Sequence, residues 1–279
     1  MTRNCRYETC STANDKIPVG QMATLSQDSK ETPQLSSDNG GEPTLYPNLP
    51  DLIRHAHGAG LAVEVFSNMT HIRDELWGTF QICGVKLAVS YYSDNPAKHD
   101  AVTRLRGSHK MTRANLKKAL TLGIPLRGGV VAVRPGQRAL EAAQDLQRLG
   151  VEQVGGDHTR AFGRGSEGAT PAIADLCGHC GHEKCAILPD GTVSPCVLGR
   201  FLDIGNVKNT SLPEIWGGLR LGEVLADIRA VLGDGVQSCT PPQFLPMCGP
   251  CSPCVPSVGH CDPREADSGT DAATIGASA

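Results

Sequence analysis

The chain has 279 residues, 39% of them hydrophobic, and a formal net charge of −3. That is enough apolar content for one large domain or two unequal ones, and a charge so close to balance points away from nucleic acid or an anionic membrane as a partner. No stretch approaches the roughly 20 apolar residues that span a bilayer, and MTRNCRYETCSTANDK lacks the apolar core of a signal peptide, so a cytoplasmic protein is expected.

Residues 1–39 are polar and show no sustained period of two or 3.6. They are expected to be poorly ordered or misassigned, and QMATLSQDSKETPQLSSDN holds no buried-strand run. From Gly40 the texture changes. NLPDLIRHAHGAG puts Leu49, Leu52, Ile53 and Ala56 at helical spacing and stops in glycines. LAVEVF then reads as a strand, HIRDELWGTF as a helix and VKLAVSYYS as a strand. MTRANLKKALTLG reads as a helix, IPLRGGVVAV as a strand, GQRALEAAQDLQRLG as a helix and VEQVGG as a short strand. Such alternation predicts an α/β fold with a parallel sheet or barrel. FGRGSEG is a linker. In LCGHCGHEKCAILPDGTVSPC, PDG predicts a hairpin turn between two short strands. SLPEIWGG begins a short helix, with Ser211 as its cap. CTPPQFLPMCGPCSPCVPSVGHC has too much Pro and Gly for regular elements, and residues 262–279 read as a loose, disordered tail.

Twelve cysteines are the outstanding chemical feature, and nine of them fall between Cys177 and Cys261. In a reducing compartment such a cluster reads as a metal site rather than as disulfides. Two Cys-x2-Cys pairs, Cys177/Cys180 and Cys251/Cys254, would suit an ordinary structural zinc ion. His179, His182 and His260 could substitute as ligands but read as solvated loop residues. Cys83, between a helix and a strand, reads as a small core residue, and His99 and Asp100 as a turn and cap before the next helix. In parallel βα folds ligands bind beyond the carboxyl ends of the strands. Three features lie at such ends. Gly40 and Gly41 let backbone approach a ligand, and Glu42 could meet an ammonium group. Ser67-Asn68 follows EVF, and Ser90 stands in AVSYYS. Each alone is equally an ordinary turn or cap.

Taken in order, GGEPTLYPNLPDLI, VFSNMT, VSYYSDNPAKHDAVTRLRGSH and LRGGVVAV resemble successive segments of the radical S-adenosylmethionine (SAM) enzymes, and the C-terminal cysteines resemble their SPASM extension. The resemblance implies a partial (β/α) barrel over residues 40–165 that binds SAM, incomplete at its N-terminal side, followed over 166–261 by a small cysteine-rich SPASM-like domain carrying auxiliary [4Fe–4S] clusters. It places Gly40, Gly41 and Glu42 at the methionine amino group, Asn68 at the ribose or nearby polar groups, and Ser90 at the ribose or carboxylate. The SPASM pattern opens with Cys-x9–15-Gly-x4-Cys. Gly191-x4-Cys196 fits its second half, and Cys177 and Cys180 both fit its first, with thirteen and ten residues before Gly191. Cys185 leaves five and does not fit. Cys239, Cys248, Cys251, Cys254 and Cys261 follow; Cys-x2-Cys is present but the next spacing departs from the family pattern by at least one residue, so these cysteines are assigned to metal as a set and not divided between clusters.

The family's catalytic cluster is held by a Cys-x3-Cys-x2-Cys loop ahead of the Gly-Gly-Glu turn. Here only Cys5 and Cys10 precede Cys83, spaced Cys-x4-Cys. A late or frame-shifted gene start is the expected reason; decay, or cluster cysteines supplied from elsewhere, are the alternatives. The function implied is a radical SAM/SPASM enzyme, truncated or degenerate as it stands, which would generate a 5′-deoxyadenosyl radical to modify a peptide or small-molecule substrate. Its partner would be an electron donor such as a flavodoxin or ferredoxin. A non-catalytic iron–sulfur or zinc-binding, peptide-binding module is the alternative.

Overall fold

The computed structural model describes residues 42–156, 168–176, 178, 180–181 and 184–233, and the backbone of 23–26, 34–37 and 157–158. Two four-residue strands come first, β1 (Ala23–Ser26) and β2 (Gln34–Ser37). Both fall in the segment from which the sequence predicts no element. The reason lies in backbone pairing. Four residues are too few to display a period, and β2 is held by a parallel ladder to β3 (Ala62–Ser67), running from Gln34–Ala62 to Ser37–Val65.

Between them lies α1 (Leu49–Gly58), and the alternation read from the sequence follows: α2 (Asp74–Ile82), β4 (Lys86–Tyr91), α3 (Pro96–Thr103), α4 (Ser108–Thr121), β5 (Leu126–Ala132), α5 (Ala139–Leu149) and β6 (Gln153–His158). The sheet is parallel from β2 to β6. Successive strand residues point to opposite faces. One face carries Val63, Val65, Leu87, Val89, Val130 and Val154, packed against Leu49 and Ile53 of α1, Leu76 and Phe80 of α2, Leu116 of α4 and Leu146 of α5. By the register, the other face carries Glu64, Phe66, Ala88, Ser90, Arg127 and Gly129. Helices on one side and a mixed polar face on the other are the layout of a partial barrel.

The C-terminal part has its own core. The strands β7 (Lys184–Ile187), β8 (Thr192–Ser194) and β9 (Gly205–Asn206) form an antiparallel meander, backed by α6 (Leu212–Trp216) and α7 (Leu219–Leu232). Its core holds Cys180, Cys185, Val193, Cys196, Ile215, Val224 and Ile228. The PDG turn stands between β7 and β8, where Asp190 Oδ1 accepts from Thr192 N at 2.9 Å. Glu214 Oε2 accepts from both N and Oγ of Ser211 and closes the first turn of α6. The two cores share one nine-stranded sheet, ordered β6-β5-β4-β3-β2-β1-β7-β8-β9. β1 is the joint, antiparallel to β2 on one side and to β7 on the other. No helix among the described residues is long and apolar enough to cross a membrane.

Candidate functional site

Glu42 begins a single turn of 3-10 helix at Pro43–Leu45 and is tied to the carboxyl end of β3. Its Oε1 accepts from Ser67 Oγ at 2.7 Å, from Thr44 Oγ1 at 2.6 Å and from Thr44 N at 3.2 Å. Its Oε2 accepts from Asn68 N at 2.7 Å. The carboxylate assigned by resemblance to an ammonium group is therefore already held by four donors, with capacity left mainly on Oε2. Gly40 and Gly41 lie outside the described residues.

The loop after β3 is pinned from several sides. Asn68 Oδ1 accepts from Thr70 N (2.8 Å) and Thr70 Oγ1 (2.6 Å), and Asn68 O accepts from Thr112 Oγ1 of α4 (2.8 Å). Met69 is fully buried in a left-handed conformation at φ 56°, a costly state for a side chain of this size. Ser67 Oγ takes its N–H at 2.9 Å and Asn115 Nδ2 donates to its carbonyl at 2.8 Å. Asn68 Nδ2 has no hydrogen-bond partner among the described residues, which leaves it the loop's available donor. Ser90 sits on the polar face near the end of β4, half-buried, with no side-chain hydrogen bond among the described residues. The structure thus joins Glu42 to Asn68 directly and sets Ser90 on the neighbouring strand.

Two polar groupings escaped the sequence reading. Glu64 and Arg127 form a buried bidentate ion pair, with Nε–Oε1 at 2.7 Å and Nη2–Oε2 at 2.9 Å. They stand two strands apart, on β3 and β5. Phe66, Ala88 and Arg127 lie in register across β3, β4 and β5. The methyl of Ala88 is low enough for the Arg127 guanidinium to reach over it and stack on Phe66, 4.7 Å from the ring centre. Opposite charges at same-face positions of two strands were the available signal, but it needs the register to be read.

The second grouping lies behind β4. Tyr91 OH donates to Asp145 Oδ2 at 2.8 Å, meets His109 Nε2 at 2.9 Å and accepts from Arg113, which also pairs with Asp145. Burial pushes the Tyr91 hydroxyl pKa well up. His99 and Asp100 lie in α3 rather than in a simple turn. Asp100 does cap the following helix, accepting from Gly107 N (2.6 Å), Ser108 Oγ (2.9 Å) and His109 N (3.0 Å), and these bonds hold its pKa down. With the Ser108 hydroxyl proton given to Asp100, His99 Nδ1–H is the donor in the 3.1 Å contact with Ser108 Oγ. His99 Nε2 is then a bare acceptor, buried without a partner among the described residues. Burial, with a smaller push from His109, lowers the His99 pKa to about 4, so the ring stays neutral.

In the C-terminal core Cys180 and Cys196 meet, with Sγ atoms 3.2 Å apart. Gly181 N donates to Pro195 O at 2.9 Å and ties the two segments together. Gly199 N donates to Cys196 Sγ at 3.2 Å. Gly191 adopts φ 88°, and a Cβ there would stand 2.8 Å from Asn206 Oδ1, so the glycine is fixed by both conformation and space. Cys185 lies in the same core on β7. Cys83 is buried in the other core, between α2 and β4. Cys177, Cys239, Cys248, Cys251, Cys254, Cys261 and the histidines 179, 182 and 260 lie outside the described residues, among which no set of three metal-ligating groups occurs. The donor chemistry fits a thiophilic centre: two buried sulfurs, one receiving an N–H. Thiolates on a single tetrahedral ion stand about 3.8 Å apart, so little movement is needed to share a metal. Cysteines on different irons of a cluster must spread further.

Residues 177–255 match the SPASM family, an iron–sulfur cluster-binding domain. No curated protein matches the chain in sequence. SuiB of Streptococcus suis, solved bound to S-adenosylmethionine, is similar in structure, with TM-score 0.55 and 14% identity over 71% of this chain and 56% of SuiB. SuiB bound to the precursor peptide SuiA gives TM-score 0.54 and 13% identity over 67% of this chain and 55% of SuiB. anSMEcpe with bound AdoMet gives TM-score 0.54 and 11% identity over 70% and 69% of the two chains. The chain has the radical SAM fold with a SPASM domain. It spans little more than half the length of SuiB. The stretch that matches the SPASM family contains both Cys180 and Cys196.

Proposed function

We propose that this chain works as a radical SAM/SPASM iron–sulfur protein that modifies a peptide. The observation that carries the reading is the meeting of Cys180 and Cys196 inside a matched iron–sulfur domain. Peptide is preferred over a small molecule because SuiB and anSMEcpe were both solved with peptides bound. A reduced cluster with bound SAM supplies this chemistry with a radical that takes hydrogen from an unactivated carbon. The protein's own share is binding, orientation and exclusion of water. Residues 40–165 would hold SAM at the carboxyl ends of the strands. There the Glu42 knot fixes the loop, Asn68 Nδ2 offers a donor, and Ser90 offers a hydroxyl. Cys180 and Cys196 would hold one auxiliary [4Fe–4S] cluster, with ligands also drawn from Cys177 and the set Cys239, Cys248, Cys251, Cys254 and Cys261. The setting would be the cytoplasm, with a flavodoxin or ferredoxin as electron donor.

Anaerobic reconstitution tests the assignment. The protein should bind iron and sulfide. Cys180→Ala and Cys196→Ala should each lose the iron of one cluster, while Cys185→Ala should keep it. Stoichiometric zinc without sulfide would sink the reading.

One observation favours a second, non-catalytic reading. The 279 residues contain no Cys-x3-Cys-x2-Cys. The chain by itself should then bind SAM weakly and form no 5′-deoxyadenosine under dithionite. Turnover by this chain would show that Cys5 and Cys10 serve a cluster.

A further inference from the structure

We infer that the backbone amide of Gly199 tunes the reduction potential of the metal centre at Cys196, an inference that rests on the assignment of Cys196 as a cluster ligand. Gly199 N donates to Cys196 Sγ at 3.2 Å. An N–H aimed at a ligating sulfur withdraws electron density from it. The reduced cluster carries one more negative charge than the oxidised one, so the bond favours the reduced form and raises the potential.

The contact is built into the loop. Cys196 is 7% exposed, so water does not compete for the sulfur. Ser194 Oγ donates to Cys196 O at 3.1 Å and Leu202 N donates to Gly199 O at 2.9 Å, which fixes both ends of the turn. A Cβ on Gly199 would stand 3.3 Å from Sγ and 3.5 Å from Pro195 Cγ. The turn therefore wraps the sulfur closely, and a side chain would compete with the metal-bound thiolate for the same space. The step concerned is transfer of one electron to the oxidised cluster, with no proton moved; dithionite is the donor in the test.

The experiment uses the full chain, reconstituted with iron and sulfide without oxygen. EPR-monitored titration with dithionite gives the midpoint potential of each centre, and the signal lost in Cys196→Ala identifies the relevant one. Gly199→Pro removes the N–H and should shift that midpoint to more negative potential at unchanged iron content. Gly199→Ala keeps the N–H and should shift it less. Resonance Raman on the unmodified protein needs no variant: the Fe–S(Cys) stretches should move on exchange into deuterium oxide. An unmoved midpoint in the iron-loaded proline variant, or Raman bands insensitive to deuterium, would overturn the inference while leaving the cluster assignment intact. Failure of the unmodified chain to take up iron and sulfide would remove the cluster assignment itself, and this inference with it.

Discussion

Glu42 shows how much a single residue's role depends on partners distant in sequence. Its residue type and turn are plain in the sequence, and a carboxylate beside two glycines suggests a ligand contact. Ser67 and Asn68, 25 and 26 positions away, become its partners only when β3 folds beside it. Glutamine in its place has one oxygen and one NH2, so at least one of the present donors would face another donor. Glu42→Gln should cost about 1–3 kcal/mol, seen as a lower urea midpoint at unchanged slope. Asn68→Asp keeps the oxygen that accepts from Thr70 and removes only the Nδ2 donor, so it should weaken SAM binding with a smaller effect on folding. His99 makes a pH prediction. Its pKa lies near 4 in the folded protein, against an ordinary value of 6.5, because burial disfavours its charge. Between these values the unfolded chain binds more protons than the folded one. Stability is therefore full above pH 6.5 and falls as pH drops toward 4. His109 is lowered for the same reason and acts in the same sense, while the N–H and O–H donors to Asp100 hold that carboxylate low and add a loss at still lower pH. His99→Phe should flatten the acid limb of the stability–pH curve, and an unchanged limb would show that His99 is not its source.

At the scale of the elements, the long strands and helices were legible because they are long. LAVEVF, VKLAVSYYS and IPLRGGVVAV carry enough β-branched and aromatic residues to show as strands, and GQRALEAAQDLQRLG carries a full helical stripe. The α3 helix was not legible: PAKHDAVT buries only His99, so it has no apolar face to read. The row Phe66–Ala88–Arg127 was hidden too, because each member belongs to a different strand and only the register aligns them. That row supports a sharp test. Ala88→Leu would push a branched side chain between the Arg127 guanidinium and Phe66 and force Arg127 off Glu64. Overpacking of this kind costs about 1–3 kcal/mol, and separating a buried pair adds to it. Arg127→Met alone would leave Glu64 buried and unpaired, at about 3–5 kcal/mol, whereas Glu64→Leu with Arg127→Met should recover most of that loss. A double variant no more stable than the single one would show that the pair is not coupled as the geometry indicates.

For the whole molecule, the sequence suggests two units joined by a linker, and the described residues hold one hydrophobic cluster in the α/β part and another around Cys180 and Cys196. The sheet does not stop at the boundary, however. β1 lies between β2 and β7, so the parallel strands that carry the Glu42 knot and the meander that carries Cys196 share one hydrogen-bonded plane. No pattern in ATLS could announce this, because its place comes from two open strand edges that need a partner. The joint sets where the cysteine centre stands relative to the strand ends, and that spacing matters if one passes electrons or substrate to the other. Leu25 pairs with Leu35 on one side and with Cys185 on the other. Proline at 25 would remove a backbone donor and crowd the neighbouring ladder, which interior strands do not tolerate. Calorimetry of Leu25→Pro should replace one cooperative transition with two, one for each core, since the cores would then be joined only by chain. Iron uptake through Cys180 and Cys196 should persist in this variant, because the hairpin and α7 supply that core without β1. A single transition at the unmodified temperature would mean that β1 does not couple the two halves, and that the cysteine centre is positioned by contacts other than the sheet.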